Sequence, residues 1–206
     1  MGTYLEEYKS KLITAKTAAA MVKSDDIVNY GAFNLKPVAF DEALGARAGE
    51  PGLERVYIKM SGQMPPAPHV LLKDPQMKTF QVASWFWNAQ DRYFGDKKQL
   101  DFLPLNYHDT NQLTYRTDRT PASRRGDIWV AQTGPMDKHG NFNIGITNTD
   151  ALVKALTSPV TIVEVNKTLP RCLGGFQESI NIRDIDYIIE GPNLPLYDTG
   201  EIPAPS

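Results

Sequence analysis

Apolar residues occur along the chain in short runs separated by polar, glycine or proline breaks, and two spacings account for most of the runs. Ile27, Val28 and Tyr30 read as a short strand that stops at Gly31. Arg55–Met60, Thr79–Ala83, Phe102–Leu105, Ile128–Thr133, Val160–Val165 and Ile185–Ile189 have the length and the β-branched or aromatic content of further strands. Helical spacing appears elsewhere. Thr3–Leu12 suits a short surface helix, and Thr14 is placed to cap a second one reaching Met21 and Val22. Val38, Phe40, Ala43, Leu44 and Ala46 mark a helix over Val38–Arg47. Asn148–Leu156 opens on Asn148, Thr149 and Asp150, whose side chains can accept from the free amides of a first turn. Strands alternating with helices predict an α/β domain with a mainly parallel sheet covered by helices, because parallel neighbours need a crossover. The Gly31–Pro37 loop then lies at the carboxyl end of a strand, where open α/β sheets hold their ligands.

With 206 residues, 41% hydrophobic and 22% charged, the chain can bury a core without metals or disulfides. A formal net charge of −2 provides no field to attract a nucleic-acid backbone or an anionic membrane, so neither is expected as a partner. The basic cluster Arg116–Arg125 is interrupted by Asp118 and reads as a solvated loop. A single cysteine, Cys172, excludes an internal disulfide and a cysteine-based zinc site. His69 and His108 stand too far apart to suggest metal ligands, and no metal is expected. Glu6, Glu7, Lys9 and Lys11 break up any apolar leader, so a cytoplasmic location is expected. Residues 1–190 read as one domain. From Gly191 to Ser206 recurrent prolines exclude a helix or a central strand, and the stretch reads as a linker toward a further domain; a frayed terminus is the alternative.

Several ordered segments carry a family resemblance. Tyr8–Leu12, Asp26–Gly31 with Pro37, and Asp127–Gln132 followed by Gly134-Pro135-Met136-Asp137-Lys138-His139-Gly140-Asn141-Phe142-Asn143-Ile144-Gly145 resemble the acetyl-CoA hydrolase/transferase family, the family I CoA-transferases. Val163–Asn166, Pro170-Arg171 and Asp186–Gly191 extend the match. A series this long is far more specific than one glycine motif. The resemblance, strongest to members acting on butyryl-CoA or 4-hydroxybutyrate with acetate, implies a CoA-transferase half-domain. In such enzymes two α/β halves pack together, and a glutamate of the second half attacks the thioester to give a glutamyl-CoA intermediate. It therefore implies no catalytic nucleophile in this chain, a carboxyl-terminal CoA-transferase domain as partner, acyl-CoA and a short-chain carboxylate as ligands, and coenzyme A as substrate rather than a covalently bound cofactor. A homo-oligomer is also expected. Asn34, Leu35 and Lys36, and Asn141 where an aromatic is common, depart from the pattern and leave the acyl chain open.

The substrate-binding candidates are Gly31, Pro37, Gln132, His139, Gly140, Asn143 and Gly145. Glycines let main-chain amides approach a developing oxyanion, although each also suits an ordinary tight turn. His139 can donate to an acyl oxygen or can tie together the Asp137–Gly140 turn. Gln132 and Asn143 offer neutral amides to a carboxylate or to loop backbone, and together they form the best small cluster. Cys172 has no histidine nearby to lower its pKa and reads as a buried spectator. Glu164, Glu178 and Glu190 are the in-chain alternatives for an acyl carrier. Trp85-Phe86-Trp87 reads as core or subunit interface, with adenine stacking as the sharper option.

Overall fold

The structure, a computed structural model, describes residues 2–110, 126–175, 177–198 and 200. Two helices, α1 (Gly2–Lys11) and α2 (Ala15–Ala19), precede the first strand, and Thr14 caps α2 by accepting from the Thr17 amide at 3.0 Å. The chain then runs through β1 (Ile27–Tyr30), α3 (Val38–Gly45), β2 (Val56–Met60), α4 (His69–Lys73), β3 (Phe80–Ser84), α5 (Ala89–Asp96) and β4 (Asp101–Phe102). It continues through β5 (Ile128–Thr133), β6 (Asn141–Asn143), α6 (Ala151–Thr157), β7 (Val160–Val165), β8 (Ser179–Asn181) and β9 (Tyr187–Glu190). Seven strands form one sheet in the order β4-β3-β2-β1-β5-β7-β9 with every pairing parallel, while β6 and β8 form a separate antiparallel pair.

Side chains alternate across the sheet with period two, so its faces carry different cores. On one face Val28, Tyr30, Ile128, Val130 and Ile162 pack with Ala18, Phe40, Leu44 and Val70 of α2, α3 and α4. On the other, Trp129, Ala131, Val163 and Val165 pack with Phe142, Ile144, Ala155 and Ile180 of the β6–β8 layer and α6. Both faces are covered, as an all-parallel sheet requires.

The order of the strands matters for function. From the central β1 the chain builds outward through β2, β3 and β4, then returns to the other side of β1 as β5 and builds outward again through β7 and β9. The connections leaving β1 and β5 therefore diverge, α3 to one face and the β6–α6 segment to the other. A crevice at the carboxyl ends of β1 and β5 is the geometric result.

Two expectations need correction. The strand expected at Phe102–Leu105 is only Asp101–Phe102; after the Leu103 amide bonds the Ser84 carbonyl at 3.0 Å, Pro104 has no N–H with which to continue the ladder. Asn148 and Thr149 do not cap α6, because Asn148 donates to the Gln177 carbonyl and Thr149 to Asp150, and no side chain caps that helix. The Arg116–Arg125 cluster lies outside the described residues.

Candidate functional site

The crevice at the β1/β5 junction is a narrow hollow of about 20 Å³, lined by Phe33, Lys36, Val38, Met64, Gln132 and Asn166, with Leu194–Leu196 along one side. Its floor is polar and internally bonded. Gln132, the penultimate residue of β5, donates to the Lys36 carbonyl at 2.7 Å and accepts from Asn166 at 2.7 Å. Asn166 also donates to the Leu194 carbonyl at 3.0 Å, and Asn34 accepts from the Tyr197 amide at 3.2 Å. The proline-rich segment after Gly191 is thus held against the crevice as a strap. Opposite it, Met64-Pro65-Pro66, with a cis bond between the prolines, forms the far wall.

Beneath this floor is a group of buried charges. Lys36 is 2% exposed, and its ammonium donates to the carbonyls of Met64 and Pro66. Burial pulls its pKa down to about 8, against the opposing pull of Asp41, Asp91 and Glu164. Glu164 faces Gln132 in the β5–β7 register and turns inward to the amino terminus of α3. Its two carboxylate oxygens accept from the Ala39 and Phe40 amides at 3.1 and 3.0 Å. Pro37 precedes α3 and has no side-chain oxygen to cap it, so a carboxylate two strands away does so. Burial lifts Glu164 to about 7, although those amides pull the other way. Asp41, in the same helix, accepts from the Tyr30 hydroxyl and from the His69 and Val70 amides, so it ties α3 to the start of α4. Burial raises its pKa, with the His69 amide and Lys36 opposing.

The structure divides the sequence candidates between the two faces. Of the candidates only Gln132 lines the crevice, while Gly31 and Pro37 are the ends of the loop beside it. Gly31 is confined by packing: a Cβ there would lie 2.4 Å from the Leu35 carbonyl oxygen and 2.6 Å from the Ala131 Cβ. Asn143 is in β6, beneath the opposite face, and bonds the Cys172 carbonyl and amide and the Gly145 amide. Gln132 and Asn143 therefore belong to separate hydrogen-bond networks, because the even-numbered side chains of β5 point away from the layer that holds β6. A second hollow, of about 50 Å³, is lined by Gly134, Asp137, Asn143, Leu169 and Arg171 and shares no lining residue with the first.

His139 has an exposed side chain; the turn around it is tied by Asp137, which accepts from the His139 and Asn141 amides at 2.8 and 2.9 Å. Gly140 and Gly145 have φ of +80° and +73°, and the space for a Cβ is taken by Tyr4 and Leu169 respectively. Cys172 is half-exposed rather than buried. Trp85 is buried, Phe86 is exposed, and the two rings sit among Phe33 and Tyr107 at the same sheet edge. Sequence reasoning missed Lys36 and Asn166 as crevice residues, and the capping role of Glu164. The one available signal was a lone lysine set between Leu35 and Pro37.

Among the described residues no group of three or more histidine, cysteine or acidic side chains is placed to hold a metal, and no helix is long and apolar enough to cross a membrane. An open parallel sheet with a narrow, polar-floored crevice at its switch point defines an α/β domain of the ligand-binding kind. Residues 2–197 match the acetyl-CoA hydrolase/transferase N-terminal domain, and the chain belongs to that family. A probable butyrate:acetyl-CoA coenzyme A-transferase of Syntrophomonas wolfei is 41% identical over 204 residues, which are 98% of this chain and 43% of that protein. The butyryl-CoA:acetate CoA-transferase of Anaerostipes caccae is 33% identical, with 96% of this chain and 43% of that protein covered. Among solved structures, RipA from Yersinia pestis superimposes with a TM-score of 0.78 at 26% identity, covering 98% of this chain and 46% of that one. The chain thus spans less than half the length of these relatives.

Proposed function

We propose that this chain is the amino-terminal domain of a coenzyme A transferase that moves CoA between a short-chain acyl-CoA, butyryl or 4-hydroxybutyryl, and acetate. The observation that carries the reading is the crevice where β1 and β5 part, with the Gly31–Pro37 loop, Gln132 and the Met64–Pro66 wall around it. A transfer through a carboxylate needs a nucleophile shielded from water, beside donors for the developing oxyanion. The crevice is one wall of such a site, and the carboxylate comes from a second, carboxyl-terminal domain. That glutamate attacks the thioester carbonyl and expels CoA thiolate, leaving a mixed anhydride; the thiolate then attacks the glutamyl carbonyl, which releases the free carboxylate and forms the glutamyl-CoA thioester, and acetate reverses the two steps to give acetyl-CoA and free the glutamate. Coenzyme A is a substrate here and no covalent cofactor takes part; the working protein is a cytoplasmic homo-oligomer.

The three candidate glutamates, Glu164, Glu178 and Glu190, each have a hydrogen-bond partner. Glu164 is fully buried with both oxygens on α3 amides, and Glu178 accepts from the Gly174 amide at 2.6 Å. Glu190 lies at the Tyr8 hydroxyl, at the sheet edge away from the crevice. Gln132 is the substrate-facing member of the sequence candidates, Gly31 and Pro37 shape the loop beside it, and His139, Gly140, Asn143 and Gly145 belong to the β6 side of the sheet.

The test is transfer by the full gene product supplied with butyryl-CoA and acetate. Acetyl-CoA should accumulate, and leaving out acetate should slow the release of butyrate. Brisk hydrolysis without an acceptor would make the protein a hydrolase. Robust transfer by these 206 residues alone would place the nucleophile within them.

A further inference from the structure

In the loops that leave β1 and β3 and follow β4, a row of aromatic rings reaches the surface. Phe33 meets Phe86 with ring centres 5.2 Å apart, Phe86 meets Trp85 at 6.5 Å, and Trp85 meets Tyr107 at 5.7 Å. Trp85 is buried, but Phe86 is 47% exposed and Tyr107 is 58% exposed. Single exposed rings are ordinary on a protein surface, whereas a contiguous row of them marks an interaction site.

The row is held in place from below. The Phe33 amide donates to the Ser61 carbonyl and the Gly62 amide to the Phe86 carbonyl, both at 2.9 Å, so the loops leaving β1, β2 and β3 are stitched together. Gly62 lies against both rings: a Cβ there would stand 2.7 Å from Phe33 and 2.8 Å from Phe86. Phe33 has a φ of +52°, a left-handed backbone that a bulky residue keeps only where its surroundings hold it. Rings fixed before docking lose little entropy on docking, and aromatic anchors carry much of the binding at interfaces.

Position selects the occupant. The strap reaches one end of the row, where Asn34, next to Phe33, accepts from the Tyr197 amide at 3.2 Å. Chain running on from Asp198 therefore starts beside the rings, and the matched relatives are more than twice as long as this chain. A stable interface between free molecules takes about 800 Å² from each partner, far more than two half-exposed rings and their neighbours offer. A domain on the same chain needs much less, because its tether keeps it at an effective concentration of about the millimolar range.

Resting on the transferase reading, which supplies the second domain, we propose that the ridge of Phe33, Phe86, Trp85 and Tyr107 is the anchor on which the protein's own carboxyl-terminal domain docks. Phe33 is both the inner end of the ridge and a lining residue of the crevice, so a domain seated on the rings stands over the crevice mouth. Phe86 and Tyr107 then act on transfer by placing that domain, without touching the substrate.

Hydroxyl-radical footprinting of the full gene product reads the ridge without altering it. Tyr93 on α5, 54% exposed, is the control for Tyr107, because the two phenols share one chemistry and have similar exposure in this domain. Tyr107 should oxidise about fivefold more slowly than Tyr93 or slower still. Equal oxidation would leave the ridge bare and overturn the proposal. Benzoylphenylalanine placed at position 86 should, on irradiation, cross-link within one chain to peptides of the second domain; a cross-linked dimer instead would give the surface to a second copy and overturn it. Phe86→Ser combined with Tyr107→Ser should lower transfer from butyryl-CoA to acetate about tenfold or more and open Trp85 to oxidation. Full transfer by that variant would overturn the anchor, and if the variant fails to fold, the footprint of the unaltered protein decides. Protection of Tyr107 in an unaltered protein that transfers nothing would sink the transferase reading and leave the docking surface standing.

Discussion

Glu164→Gln sets two opposing forces against each other. Burial disfavours the carboxylate, whereas the Ala39 and Phe40 amides at the start of α3 favour it. The balance leaves the pKa at about 7 against an ordinary 4.5, so burial wins. For an acid whose pKa is raised by folding, the contribution to stability is complete below the unfolded value and is lost as pH climbs through the folded one. The window here runs from about 4.5 to about 7. The loss across it comes to about 3 kcal/mol, since one pH unit of difference is about 1.4 kcal/mol. No discount for solvent applies, because Glu164 is 0% exposed. At pH 4 the protonated acid and the amide of glutamine have similar shape and hydrogen-bonding capacity, so the two proteins should differ by about 1 kcal/mol or less. By pH 8 the glutamine variant should have gained about 3 kcal/mol on the unaltered protein. Urea unfolding at half-unit steps from pH 4 to pH 8 measures the difference directly. Parallel profiles would show that Glu164 is no more buried than an ordinary carboxylate. A gain by the unaltered protein as pH rises would mean that the α3 amides outweigh desolvation, reversing the account of this site.

Lys36 gives the mirror case: its pKa is lowered to about 8 from 10.5, so its contribution is complete above 10.5 and is lost as pH falls through 8. Lys36→Met should remove about 3 kcal/mol of stability gain between those limits, read from the same urea titration carried to high pH. Gly31→Ala places a Cβ 2.4 Å from the Leu35 carbonyl and should cost about 2 kcal/mol or more, lowering the denaturation midpoint. Asn166→Ala removes one of the two donors on the Leu194 carbonyl and the acceptor that orients the other, the Thr168 hydroxyl, so amide exchange at residues 194, 196 and 197 should accelerate at least tenfold while the β5 and β7 amides stay protected. Unchanged exchange would show that the strap is held without Asn166, by its bonds to Thr168, Lys167 and Asn34.

The strands that make the centre of the sheet were legible because their signal is local. Ile128–Ala131 is four apolar residues in a row and Val160–Val165 holds four of six, as befits strands buried on both faces. Asn141–Asn143 and Ser179–Asn181 were not, since each is three residues long with polar ends, and their pairing is a tertiary event. The helices His69–Lys73 and Ala89–Asp96 are likewise too short to show a full apolar stripe, though Asn88 and Asp91 form a capping box that three-residue spacing could have suggested. The Gly31–Pro37 loop and Gln132 were candidates from motif and position, and Gln132 is among the residues that line the crevice. Lys36 was passed over because an isolated lysine in a loop normally reaches water, and only the fold brings the Met64 and Pro66 carbonyls over it. Grouping Gln132 with Asn143 failed for a related reason: proximity along the chain does not reveal on which face of the sheet the chain returns.

The central claim, that the acyl chain lies in the crevice between β1 and β5, is tested most directly by a crystal structure of the full gene product with an acyl-CoA bound. Acyl carbons in contact with Phe33, Met64 and Gln132 are the predicted result. An acyl chain seated in the hollow beside Asn143 and Arg171, or held wholly by the second domain, would contradict it.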